Sequence, residues 1–159
     1  METGQKTIQK KTRIERTSNI KLSIHISLNG LSFCIIDLIS KEIDFLRKYS
    51  LPKNSTPKEL LKTLKKGFKE NNELNNRFSS VKIIHYNNLS TIVPEALFDK
   101  NNALSYLKFN SKILQNDYVA YDRIFNNECV NVYIPYVNIN NYIFKKFNSF
   151  VYNHYSSII

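Results

Sequence analysis

Three histidines, His25, His85 and His154, and two cysteines, Cys34 and Cys129, are the groups in this chain of 159 residues best suited to chemistry. An imidazole can ligate a metal or move a proton near neutral pH, and a thiolate can attack or ligate. A metal site also needs further ligands of suitable geometry. Neither cysteine belongs to a Cys-x-x-Cys pair, and no phosphate-loop, dinucleotide-binding, zincin or nucleophile-elbow motif occurs. His25 and His85 therefore read first as satisfied core or cleft histidines. The sharper alternative is that they approach each other across neighbouring strands. His154 is distant in sequence and is not placed by any local pattern. Cys34 and Cys129 lie in apolar, strand-like stretches without a local activating partner. They read as buried, reduced thiols of a cytosolic protein rather than a disulfide or a zinc site.

The elements that must hold these groups begin with Lys21 to Leu38, KLSIHISLNGLSFCIIDL. Leu22, Ile24, Ile26 and Leu28 alternate with Ser23, His25, Ser27 and Asn29, the period-two pattern of a strand with one apolar face. Asn29-Gly30 predicts a type I′ turn, and Leu31 to Leu38 a second, more apolar strand. A turn at Ser40-Lys41 leads to a third strand over Glu42 to Tyr49, with Ile43 and Phe45 on one face. Leu51-Pro52 ends it, since proline cannot donate to a ladder. Three consecutive antiparallel strands are expected.

Thr56-Pro57-Lys58-Glu59 predicts a helix start with a capping box and proline at the first position. Leu60, Leu61, Leu64 and Phe68 give its apolar stripe, and Lys58, Lys62, Lys65 and Lys69 a solvated face. Gly67 and Asn71-Asn72 weaken its end. Ser80 to Tyr86, enriched in β-branched residues, reads as a fourth strand. Asn87-Asn88 turns the chain and Ser90 to Val93 returns it. Pro94 to Phe98 starts a helical turn, and a second helix follows near Asn102 to Phe109 with Leu104 and Leu107 inward. Asp117 to Ile124 and Cys129 to Ile134 form a strand pair around Asn126-Asn127. Asn138 caps a third helix with Ile139, Tyr142, Ile143 and Phe147 inward, and Phe150 to Tyr152 begins a last strand. No internal repeat or heptad seam is present.

The length suits one domain, which can bury roughly 70% of its unfolded surface without disulfide or metal. A hydrophobic share of 42%, with 10 Phe and 10 Tyr, excludes wholesale disorder. No apolar run approaches the roughly 20 residues of a membrane span. The opening METGQKTIQKKTRIERTSN is polar and has no secretory h-region. Residues 1–19, with Lys6, Lys10, Lys11, Arg13 and Arg16, read as a flexible basic tail ahead of a domain over 20–159; a nucleic-acid arm is the sharper alternative. The net charge of +10 can mean a nucleic-acid or membrane partner. The richness in Lys, Asn, Ile, Tyr and Phe, with 3 Gly and no Trp, also matches the codon bias of an AT-rich genome, so the charge raises that reading only modestly.

The order of three strands, a helix, a strand, more helix and strand, and a final helix is that of a ribonuclease H-like half-domain, the unit of actin-like ATPases. More specifically, LSIHISLNGLSFCIID, IHYNNLSTIVPEALFDKNNALSYLKFN at 84–110 and FVYNHYSS at 150–157 resemble a bacterial family, domain of unknown function 3822, over about residues 20–157. VPEALF at 93–98 followed by YLKFN at 106–110 is the most specific piece. The resemblance implies an α+β, actin-like and ribonuclease H-like fold, a mixed sheet beginning with three antiparallel strands and helices packed on it. It also implies a two-lobed body of which this chain is the N-terminal lobe. The family has no established activity, so it carries over no functional residues.

Nucleases of this fold hold magnesium on first-strand carboxylates, because hard cations need anionic oxygen. Actin-like ATPases use an Asp and glycines near the first hairpin, where backbone amides approach phosphate. Here the polar face of the first strand is Ser23, His25, Ser27 and Asn29, the first carboxylate after it is Asp37, and Gly30 is accounted for by the turn. Catalytic, cofactor-binding and metal residues are accordingly expected to be none, and no cofactor is expected. The favoured expectation is a non-catalytic cytoplasmic module acting on an unknown protein partner or as a homodimer through an exposed lobe face, with no membrane partner. Tyr118, Tyr121, Tyr133, Tyr136, Tyr142, Tyr152 and Tyr155 fit either an interface or a core, and the interface is the preferred expectation, since a second lobe would have to pack somewhere. A basic RNA- or DNA-binding accessory protein and a degenerate nucleotide-binding domain are the alternatives.

Overall fold

The computed structural model describes residues 7–9, 19–108, 113 and 117–158. Thr7–Gln9 forms a short strand, β1, inside the stretch expected to be a tail. The lysines and arginines of that stretch lie outside the described residues. Strand β2 is Ile20–Ser27 and β3 is Gly30–Asp37, and their buried residues alternate as the sequence alternates. Strand β4 is Ile43–Ser50, helix α1 is Pro57–Glu70 and strand β5 is Ser80–His85. Strand β6 is Ser90–Pro94, helix α2 is Ala103–Lys108, and strands β7 and β8 are Ala120–Ile124 and Cys129–Tyr133. Helix α3, Val137–Phe147, precedes the last strand, β9, Val151–His154, which ends in a 3-10 turn at Tyr155–Ser157. The last strand follows the last helix, as expected, and begins at Val151.

The larger sheet has the order β1-β4-β3-β2-β5-β9. Strands β2, β3 and β4 are successive antiparallel neighbours, and β2, β5 and β9 run parallel. This is the mixed, ribonuclease H-like sheet that the resemblance implies. Leu22, Ile24, Ile26, Phe33, Ile35, Phe45, Val81 and Ile83 face one side. There they meet Leu60, Leu64 and Phe68 of α1 and Ile139 and Ile143 of α3 in one core.

At two places the hairpin and its neighbour depart from the local pattern. The hairpin loop is Leu28-Asn29, because Ser27 pairs with Gly30. Gly30 opens β3 at φ +155°, where a Cβ would stand 2.4 Å from the Tyr49 carbonyl oxygen, so close approach to β4 and not a type I′ turn demands glycine. Ile43 and Phe45 do not share a face. The register slips between Ile35 and Ile36, so that Ile35 pairs with Phe45 and Ile36 with Ile43. The resulting bulge turns Ile43 to solvent while Phe45 stays buried.

Helix α1 starts on the expected capping box. The Thr56 side chain accepts from the Glu59 N–H at 3.3 Å, and the Glu59 carboxylate accepts from the Thr56 N–H at 2.6 Å. These bonds to Thr56 hold the Glu59 carboxyl below its ordinary range. Lys58, Lys62, Lys65 and Lys69 are exposed. Gly67 is not merely a weak helical residue, since a Cβ there would lie 2.5 Å from Phe33 Cε2. The buried Asn71 ends the helix, donating from Nδ2 to Gly67 O at 2.7 Å and to the Tyr49 hydroxyl at 2.8 Å.

The segment between β5 and α3 makes a second sheet, of order β6-β8-β7. Ser90 to Val93 does not fold back on the fourth strand as expected; it pairs with β8. Val93, Leu107, Val130, Val132 and Ile134 form a separate small core, with Leu104 only half buried. Phe109 lies outside the described residues. Asn138 does not cap α3: Tyr136 holds that position, and the Asn138 side chain donates to Pro57 O at 2.7 Å, tying the starts of α1 and α3 together.

Candidate functional site at the carboxyl ends of the parallel strands

In sheets with parallel strands, ligands are taken outside the carboxyl ends, where connections diverge. That edge is formed here by the ends of β2, β5 and β9, and all three histidines stand at it. His25 and His85 are on neighbouring strands, with Ile26 opposite His85 and His25 opposite Ile84. Their positions differ by one residue in register, so they point to opposite faces and do not meet. His85 turns toward the helices with Val81 and Ile83, and His25 to the other side.

His85 is fully buried and satisfied. The Tyr136 N–H donates to Nδ1 at 3.2 Å, which leaves Nε2 as the protonated nitrogen, 3.0 Å from Asn140 Oδ1. Burial lowers its pKa to about 4, the Asn140 contact opposing and the His154 charge assisting. His85 is thus a neutral clamp between β5 and the start of α3. The core-histidine reading holds for it.

His154, which sequence left unplaced, is paired in register with His85 and is also buried. Its Nδ1 accepts from the Ser156 N–H and from Asn131 Nδ2, each at 3.2 Å, and Nε2 donates to Asn87 O at 3.1 Å. Asp122 accepts from the His154 N–H at 2.9 Å and from the Tyr133 hydroxyl at 3.2 Å. Asn87 Nδ2 donates to Ile134 O at 2.8 Å. This polar seam joins the small sheet to the large one. Burial lowers the His154 pKa and, with the Asp122 charge, pushes the Tyr133 hydroxyl well above its ordinary value.

His25 is different. Its ring is boxed by Tyr86 at 6.2 Å and Tyr155 at 6.1 Å, which pack edge-on against each other at 5.2 Å. Its Nε2 is buried and makes no hydrogen bond. Burial, and then the charge of Lys48, lower its pKa. A neutral imidazole beside two half-open tyrosines can stack and can exchange one hydrogen bond. Local periodicity could not reveal this box, because Tyr155 reaches it only through the β5–β9 pairing.

The carboxylate nearest the hairpin in sequence, Asp37, is at the other end of the sheet, paired with Ile20 at the start of β2. Its Oδ1 accepts from the Ile39 and Ser40 N–H groups at 2.7 and 3.0 Å, which builds the turn before β4. Among the described residues no three His, Cys, Asp or Glu side chains gather as a metal-ligand set would. Cys34 and Cys129 are free thiols, each half buried, and burial raises the Cys34 pKa. Cys34 is on the His25 side of the large sheet, and Cys129 is in the small one, its thiol donating to Asn127 O.

The tyrosines divide. Tyr133 and Tyr136 are buried, Tyr121, Tyr142 and Tyr152 are half buried, and Tyr118 and Tyr155 are exposed. Burial and the Tyr118 hydroxyl push Tyr152 up to about 12. Two surface hollows, of about 470 and 360 Å³, share Tyr118 and Tyr152, and the second is lined also by Val137, Phe144 and Phe150. Among the described residues no helix is long and apolar enough to cross a membrane.

No curated protein matches the chain. A solved structure does: a Bacteroides thetaiotaomicron VPI-5482 protein described as having an actin-like ATPase fold and unknown function. It aligns with a TM-score of 0.78 and 21% identity over 92% of this chain. The chain spans 56% of that protein's length. At this identity the likeness shows the fold, and the strand order and directions above agree with it. The model of the family "Protein of unknown function (DUF3822)" matches residues 9–159, so the chain belongs to that family.

Proposed function

We propose that the chain is a non-catalytic, cytoplasmic module of actin-like fold that works through protein contacts, as one lobe of a two-lobed body. The observation that carries this reading is the use of the polar groups at the carboxyl edge. His85 and His154 have both ring nitrogens committed to their own chain, Asp122 accepts two internal hydrogen bonds, and Asp37 builds a turn at the opposite end. Groups that catalysed phosphate chemistry would have to be released from these bonds, at a cost of about 1–3 kcal/mol for each buried donor or acceptor left unpaired. Side chains suited to contact are instead turned outward: Tyr118 is 57% exposed and Phe144 58%. Free thiols fit a reducing compartment.

The test is turnover. The purified chain, with magnesium and ATP or with mixed RNA and DNA, is expected to release phosphate and nucleotides at the rate of buffer alone. Hydrolysis that disappears on His25→Ala or Asn29→Ala would overturn the reading.

A further inference from the structure

The two edge strands of the large sheet are treated differently. At one edge β1 lies against β4. At the other, among the described residues, β9 is the last strand. A bare edge presents unpaired N–H and C=O groups and is commonly blunted by lysine, proline or a bulge. Strand β9 reads Val-Tyr-Asn-His in unbroken register with β5 and carries none of these. Its outward groups follow from the pairing. The Tyr86 N–H donates to Ile26 O on β2, so the main-chain groups of Ile83 and His85 point the other way, to β9. In the parallel ladder they engage those of Val151 and Asn153, and the groups of Tyr152 and His154 are turned outward. The His154 N–H meets Asp122 there at 2.9 Å, which agrees with this parity and closes that end of the edge. The same alternation turns the main-chain groups of Phe150 outward. Phe150 and Tyr152 thus offer two donors and two acceptors on a side where no described strand is laid.

We propose that β9 pairs antiparallel with β9 of a second copy of this chain, about a two-fold axis at Val151. Such an isologous contact sets a surface against itself, so the edge must complement its own copy. It does so in one register. With the axis at Val151, Phe150 lies opposite the partner subunit's Tyr152 and Tyr152 opposite the partner subunit's Phe150, and the open groups of both copies are hydrogen-bonded. An axis at Tyr152 would instead set Phe150 against the partner subunit's His154, whose N–H is already held by Asp122. The same register covers the side chains. Val151, 59% exposed on the face away from the helices, meets its own copy at a non-hydrogen-bonded position, where Cα atoms stand about 4.5 Å apart. On the helix face Phe150 and Tyr152, with ring centroids 5.9 Å apart, become cross-strand neighbours of the same pair from the second copy. Exposed Tyr118, Val137 and Phe144 line the hollow beside Phe150 and Tyr152, and the two-fold brings that hollow against the second copy. The proposal rests on the protein-contact reading above and names the partner and the strand it uses.

The test is the oligomeric state of the full chain in solution. Sedimentation equilibrium from about 1 μM to about 1 mM is expected to show a monomer–dimer equilibrium. It is run at physiological salt, where a Debye length of about 8 Å screens the repulsion between two chains of charge +10. Val151→Lys sets two ammonium groups together at the axis and should raise the dissociation constant roughly tenfold or more. Leu97→Lys, at another exposed apolar position, should leave it unchanged. The register has its own readout in the Cys34→Ser, Cys129→Ser background. With oxidised glutathione, Val151→Cys should give a covalent dimer, because a Cα separation of about 4.5 Å is within disulfide range. Asn153→Cys should not, since the two copies of that position are offset by about 14 Å along the strands. A chain that stays monomeric throughout overturns the proposal and leaves the edge to a strand of another protein. A dimer that Val151→Lys does not weaken, or that cross-links as readily through Asn153→Cys, also overturns it and puts the interface elsewhere. None of these results bears on the turnover test, so failure of this contact and failure of the non-catalytic reading are separately visible.

Discussion

At single positions the structure turns apparent weaknesses into requirements. Gly67 costs α1 about 1 kcal/mol of helix propensity relative to alanine, yet Gly67→Ala should not stabilise the protein. The new Cβ would stand 2.5 Å from Phe33, whose ring is held by Phe68 at 5.3 Å and Tyr49 at 6.1 Å. Overpacking of this kind costs about 1–3 kcal/mol, which outweighs the propensity gain, so the melting temperature of Gly67→Ala is expected to fall. His85 makes the second residue-scale prediction. Its folded pKa is about 4 against an ordinary 6.5, so below pH 6.5 the unfolded chain binds a proton that the folded chain refuses. Stability is therefore complete above pH 6.5 and declines as pH drops through that window to about 4, by about 3 kcal/mol from this group. His25 and His154 are shifted in the same direction and add to the loss. Urea melts at stepped pH should show this slope, and His85→Gln should flatten it while lowering stability at pH 7.

Between elements, the seam at the carboxyl edge fixes the small sheet to the large one. Removing its acceptor with Asp122→Ala leaves the Tyr133 hydroxyl and the His154 N–H unpaired, at about 1–3 kcal/mol for each. Hydrogen exchange should then quicken in β6, β7 and β8 and stay slow in β2 and β3; equal change in both sheets would mean that the seam does not couple them. Features written in a few adjacent residues were readable in the sequence. The Thr56–Glu59 capping box and the alternation of β2 and β3 are examples, since both depend on local spacing alone. The faces of Ile43 and Phe45 were misjudged because a bulge depends on how two strands mesh, which one strand's pattern does not contain. The β7–β8 pair of the second sheet was expected from its local turn, but the place of β6 was missed for a similar reason, since β6 meets β8 across the whole of α2 and β7. The histidines were found as residues but not as a site. The one-residue offset of His25 and His85, the Tyr155 wall and the place of His154 all arise from the parallel pairing of β2, β5 and β9. The resemblance supplied the fold, which the strand order bears out, and no chemistry.

For the molecule as a whole, the question is whether a charge of +10 is a binding device or a by-product of composition. The distribution of the described cations bears on this. Lys58, Lys62, Lys65, Lys66 and Lys69 ride on α1 and Lys145 and Lys146 on α3, on one side of the large sheet, with Glu59 and Glu70 among them. Lys21, Lys48 and Lys82 are on the other side. A rigid body cannot bring both sets to one nucleic-acid strand. Each phosphate neutralised on a single strand contributes about −0.7 to the slope of log affinity against log salt, so the five lysines of α1 acting together with Lys145 and Lys146 of α3 give at most about −4.9. Fluorescence titration of mixed-sequence RNA from low to physiological salt should therefore show weak binding with a slope no steeper than that. A markedly steeper slope would require further cations, the basic N-terminal residues among them, to join one of the two faces in a single site. That result would move the protein from the contact reading to an RNA-binding one.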